Sequence, residues 1–125
     1  MLLYVLAALG GALGAVLRYA VGRFVQDVLD RPWFPYNTLF INVTGCFVFG
    51  LIMGWVEAGR SLTPEQRTFM LVGILGGYTT FSTFGFETVA LLRDGQIVPA
   101  LLNVGLQCVL GIVGVWLGMG LARVV

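Results

Sequence analysis

Four uncharged stretches leave this chain little choice of solvent: residues 2–17 (continuing past Arg18 to 22), 33–56, 68–86 and 95–122. Each is close to or beyond the roughly 20 residues that a helix needs to cross a hydrocarbon core. The connections 23–32, 57–67 and 93–94 hold nearly all the remaining charge. Charged residues make up 10% of the 125, against about 25% in a soluble domain. The expected fold is therefore an all-α membrane protein, one domain of four transmembrane helices spanning 1–125, in a multi-pass arrangement in the lipid bilayer. The N-terminal stretch has no basic region before it and carries glycines at helical spacing. It reads as a first span rather than a signal peptide.

Several function classes drop out. Net charge is +1 with no lysine and no histidine, so nothing points to nucleic acid. There are no paired carboxylates, no cysteine beside a base, and no phosphate-binding glycine motif, so the chain is not expected to be an enzyme. Cys46 and Cys108 lie deep in apolar segments and read as small buried hydrophobes.

Residues 76–84, GGYTTFSTF, are unlike the apolar run around them. Two glycines followed by a cluster of hydroxyl residues weaken a helix. Weakened backbone at membrane depth persists only where protein or a watery path satisfies it. The segment starts at Thr63-Pro64-Glu65-Gln66, a capping box with proline at the first helical position. Twelve residues at 1.5 Å each put Gly76 about 18 Å along, near the midplane. A break over 76–79 is expected, with third-helix carbonyls freed toward a small hard cation. Phe81 and Phe84, three apart, share a face on which ring edges and hydroxyls suit an anion. On chemistry alone both ions stay open.

Arg18, Asn42, Glu87 and Asn103 fall at one depth, each near 8–9 Å below the same membrane face by helical rise, with Gln107 a turn deeper. Arg18 and Glu87 form either a neutralising ion pair or, through Arg18, a positive vestibule for an anion. Asn42 is either an interhelical hydrogen-bonder or a ligand contact, with Thr38, Ser82 and Thr83 as companion donors. Gly10–Gly14, Gly50–Gly54 and Gly111–Gly114–Gly118 are small-residue rows that serve bundle packing or self-association. Arg60, Arg67 and Arg123 on one side balance Arg23, Arg31 and Arg93 on the other. Positive charge therefore selects no orientation, and oppositely inserted copies can pair about an in-plane two-fold axis.

GGYTTFSTF, the Asn42 span with Thr38-Leu39 before it and Gly45 after, and the Gly10–Arg18 row resemble the Fluc/CrcB family of fluoride channels across essentially the whole chain. The resemblance implies a fluoride-selective channel that passively lowers cytoplasmic fluoride across a prokaryotic inner membrane. It implies a third helix broken near the midplane and an antiparallel, dual-topology homodimer with two pores. A structural sodium ion at its centre would be held by the backbone carbonyls of Gly76 and Thr79. Asn42, Phe81, Phe84, Ser82, Thr83 and Thr38 would line the fluoride pore, with Glu87 and Arg18 as further conductance residues. Asn37, Gly85 and Ile112 depart from the residues usual in the family. The alternative is a small dual-topology, proton-coupled multidrug exporter, which needs a membrane-embedded acid; Glu87 is the one candidate.

Overall fold

The computed structural model describes residues 1–29 and 33–124. Arg31, which enters the charge balance, lies outside the described residues. Four helical spans long and apolar enough to cross a membrane follow one another: Leu2–Leu29, Tyr36–Glu57, Pro64–Arg93 and Ile97–Ala122. The protein is a multi-pass, all-α membrane protein. We label α1 (Leu2–Leu29) and α2 (Tyr36–Glu57), then α3 (Pro64–Arg67), a π-helical stretch Thr68–Leu75, α4 (Gly76–Tyr78) and α5 (Phe81–Arg93) within the third span, and α6 (Ile97–Ala122).

The boundaries follow from local chemistry. The first helix runs about two turns past the uncharged stretch, because Arg23 and Asp27 are exposed polar positions that a helix tolerates. Proline at position 35 delays the second helix to Tyr36. The capping box forms: the Thr63 hydroxyl accepts from the Gln66 amide at 3.2 Å, and the Thr63 amide donates to Gln66 Oε1 at 3.0 Å. Helix α5 ends in a Schellman turn. Gly95 takes φ +72, and the amides of Gly95 and Gln96 donate to the carbonyls of Leu92 and Leu91.

Packing falls into two seams. Helix α1 lies on the π-helical stretch and α4, and α2 lies on α6. Glycines make both seams possible. A methyl at Gly10 would sit 2.5 Å from the Phe69 carbonyl oxygen, and one at Gly77 would sit 2.5 Å from that of Gly11. Methyls at Gly50 and Gly118 would collide with the carbonyls of Val115 and Phe47. These glycine rows thus fill the interior of one subunit, and their spacing carries no argument for self-association. Gly85 and Gly105 differ, since a methyl there would meet nothing within 4 Å.

The third span departs from expectation in two ways. Its middle is π-helical over Thr68–Leu75, a widening with no local marker in the sequence. The interruption also lies later than the glycines. Gly76 and Gly77 remain helical, whereas Thr79 (φ −80, ψ 158) and Thr80 (φ −148, ψ 110) are extended. Gly77 is glycine because α1 approaches it, not because the chain unwinds there.

Candidate functional site

The break is held from outside the third span. The Thr80 amide donates to Asn42 Oδ1 at 2.8 Å, and Asn42 Nδ2 donates to the Thr80 carbonyl at 3.1 Å. One side chain on α2 thereby replaces both helical partners of an extended residue that is 9% exposed. The Thr80 hydroxyl then caps α5, accepting from the Thr83 amide at 3.3 Å and donating to Thr83 Oγ1 at 2.8 Å.

Thr80 also fixes the polarity of a longer chain of hydrogen bonds. A backbone amide can only donate, so Asn42 must turn its oxygen toward it and its nitrogen away. Asn42 Nδ2 donates to Gln107 Oε1 at 2.7 Å, and Gln107 Nε2 reaches Asn103 Oδ1 at 3.4 Å. Asn103 Nδ2 donates to Thr88 Oγ1 at 3.0 Å, and the Thr88 hydroxyl donates to the Phe84 carbonyl at 2.8 Å. Asn103 is completely buried. The run joins α2, α6 and α5 and returns to the broken span one turn beyond where it began. Thr88 and the clasp of Thr80 by Asn42 had no sequence signal, since both depend on partners brought together by the fold.

Arg18 and Glu87 do not pair. Arg18 Nη1 points to the Thr79 carbonyl at 3.4 Å, while Glu87 Oε1 accepts from the Thr38 hydroxyl at 2.6 Å. The reason is topological: α1 packs on α4, before the break, whereas α5 packs on α6 and α2 and stays clear of α1. Equal depth did not bring Arg18, Asn42, Glu87 and Asn103 into one cluster; only Asn42 and Asn103 share a network. Glu87 Oε2 is buried with no hydrogen-bond partner among the described residues. Glu87 lines a cleft of about 440 Å³ that opens between Trp33, Phe34, Tyr36, Ala90 and Asp94. Phe34 is the buried member of its aromatic wall, 4.9 Å from Tyr36 and 5.4 Å from Trp33 between ring centroids.

Phe81 and Phe84 share a face, as their spacing predicts, with ring centroids 5.4 Å apart and planes at 57°. That face looks outward. Phe81 is 83% exposed, Ser82 and Thr83 are exposed, and α5 has no buried residue. The Thr83 hydroxyl accepts from that of Thr80, and the Ser82 hydroxyl lies 3.5 Å from the same Thr80 oxygen.

The family described as "CrcB-like protein, Camphor Resistance (CrcB)" matches residues 5–119. The chain belongs to the CrcB family. A "Fluoride-specific ion channel FluC" from Acidobacterium capsulatum is 47% identical over 116 residues, 93% of this chain and 92% of the relative. Proteins of the same name from Thermus thermophilus (46% over 115 residues, 92% and 89% covered) and Rhizobium meliloti (42% over 118 residues, 94% of each) match almost as fully. The break, its Asn42 clasp and the paired phenylalanines all fall inside the matched region.

The oxygens expected to hold sodium can be compared with this backbone. In a continuous helix the Gly76 carbonyl would accept from the Thr80 amide, which is instead directed to Asn42. Gly76 is exposed on the subunit surface. Thr79 offers its carbonyl in an extended segment, with the Arg18 guanidinium on one side. Neutral carbonyl oxygens are the donor type a hard cation takes, and at Thr79 the neighbouring Arg18 charge opposes one.

Proposed function

We propose that this CrcB-family chain is a fluoride-selective channel of the prokaryotic inner membrane, acting as an antiparallel homodimer with two pores and passively lowering cytoplasmic fluoride. The observation that carries the reading is the outward face of α5. Phe81, Ser82 and Thr83 are exposed at the start of α5, with Phe84 half-buried beside the Phe81 ring, in a chain 47% identical to a named fluoride-specific channel. A second copy laid against that face would close a narrow path. The Gly76 and Thr79 carbonyls would hold a sodium ion at the same seam, supplying a fixed positive charge between the two broken helices.

Fluoride is small and strongly hydrated, so it crosses only where neutral donors replace water without trapping it. Ser82 and Thr83 hydroxyls and the positive edges of the Phe81 and Phe84 rings supply that environment. Both N–H groups of Asn42 are engaged, by Thr80 and Gln107. Asn42 therefore serves conduction by holding the break, and meets the ion when Gln107 yields its place. Buried Thr38 donates to Glu87, which lines the cleft, and this pair would stand at the entrance to the same path.

The test is fluoride efflux from proteoliposomes, read with a fluoride electrode after adding a potassium ionophore. The wild-type chain is expected to release fluoride rapidly without a proton gradient, and Phe81→Ile to release little. Wild-type efflux from Phe81→Ile would remove the outward face from the pore. Flux that requires a proton gradient would favour an exporter instead.

A further inference from the structure

We propose that an apolar groove at the Arg60 end of the bundle binds an anionic phospholipid, with the acyl chain in the groove and the phosphate at Arg60. The groove is about 440 Å³ in volume and runs between the end of α2, the start of the third span and the end of α6. Leu51, Ile52, Trp55, Leu62, Met70 and Leu121 form its walls. Trp55, one of those walls, carries the Arg60 guanidinium 5.2 Å from its ring centroid. The same aromatic side chain thus lines the apolar trough and positions a cation over it.

Charge at this end matches an anionic amphiphile. Arg123 is paired with Glu57 at 3.1 Å, but Arg60 and Arg67 have no carboxylate in salt-bridge reach among the described residues. Guanidinium groups grip phosphate through two parallel N–H donors. An interfacial tryptophan sets the groove mouth at headgroup level, with the trough extending toward the acyl region. A second copy is a poor occupant. In an antiparallel pair it would bring its Arg23 and Arg93 end beside Arg60 and Arg67, cation against cation.

The experiment is native mass spectrometry of the full chain released from nanodiscs of equal phosphatidylglycerol and phosphatidylcholine. Wild type is expected to retain phosphatidylglycerol in preference. Arg60→Gln should lower that preference about fivefold, the effect of one basic residue near an anionic surface. Arg93→Gln, at the other end, should leave it unchanged. Leu62→Trp, which fills the trough, should reduce retention of both lipids. Equal retention of the two lipids by wild type, or an undiminished preference in Arg60→Gln, would overturn the proposal.

Discussion

Asn42 decides the local structure of a segment 38 residues away. Its amide pairs with the N–H and the C=O of Thr80, and its remaining N–H is taken by Gln107. Losing the clasp should therefore cost more than losing the brace. Asn42→Leu leaves the Thr80 N–H and C=O unpaired, each costing about 1–3 kcal/mol, and takes the donor from Gln107 Oε1 as well. Gln107→Met frees one N–H of Asn42 and removes the long contact to Asn103 Oδ1 but keeps both bonds to Thr80, at about 1–3 kcal/mol. Asn42→Asp keeps an acceptor for the Thr80 amide but sets a carboxylate oxygen against the Thr80 carbonyl. The expected order of thermal stability in detergent is wild type, then Gln107→Met, then both Asn42 variants, with fluoride efflux lost in the last two. A Gln107→Met protein as unstable as Asn42→Leu would contradict the clasp. This part of the site was legible only as an inventory. The sequence identifies Asn42, Asn103, Gln107 and a hydroxyl cluster, but a hydrogen bond between separate helices leaves no mark in either one. The same limit explains Arg18 and Glu87, which are opposite charges at one depth yet stand on elements that do not meet.

At the scale of elements, hydropathy and capping chemistry specify the spans well, because lipid forces each backbone to satisfy itself within its own helix. The third span is where that rule is relaxed, and there the glycine pair does not mark the position of the break. Glycines 76 and 77 suggested unwinding, yet the break falls at Thr79 and Thr80. Glycine has two uses, conformational freedom and close approach, and sequence alone does not separate them. Space around each glycine does. Gly77→Ala should drive a methyl into the Gly11 carbonyl across the α1 seam, destabilising the fold by about 1–3 kcal/mol. Gly105→Ala meets nothing within the subunit and should stabilise an isolated subunit by up to about 1 kcal/mol. Chemical unfolding in mixed micelles compares the two. Equal effects would mean that these glycines are not distinguished by packing.

At the scale of the whole molecule, the outward face of α5 and the even spread of arginine lead to the same arrangement. In the proposed pair the exposed start of α5 is the surface that meets the second copy, and the glycine rows do not recruit it, because they are consumed inside the subunit. The sequence divides six arginines evenly between the two ends, a balance that selects no orientation and that the proposed antiparallel pair requires. The arrangement can be tested by biasing charge. Ala58→Arg with Ser61→Arg adds two cations at the Arg60 end, and Asp94→Arg with Gln96→Arg adds two at the other. Each pair should fix a single orientation, read by reporters fused to the N-terminus. Each should then give little fluoride release from cells when expressed alone, because copies facing one way cannot form the antiparallel seam. Co-expression of the two should restore release, since each supplies the orientation that the other lacks. Full release from either variant alone, with its reporter confined to one side, would show that a pore forms without an inverted partner.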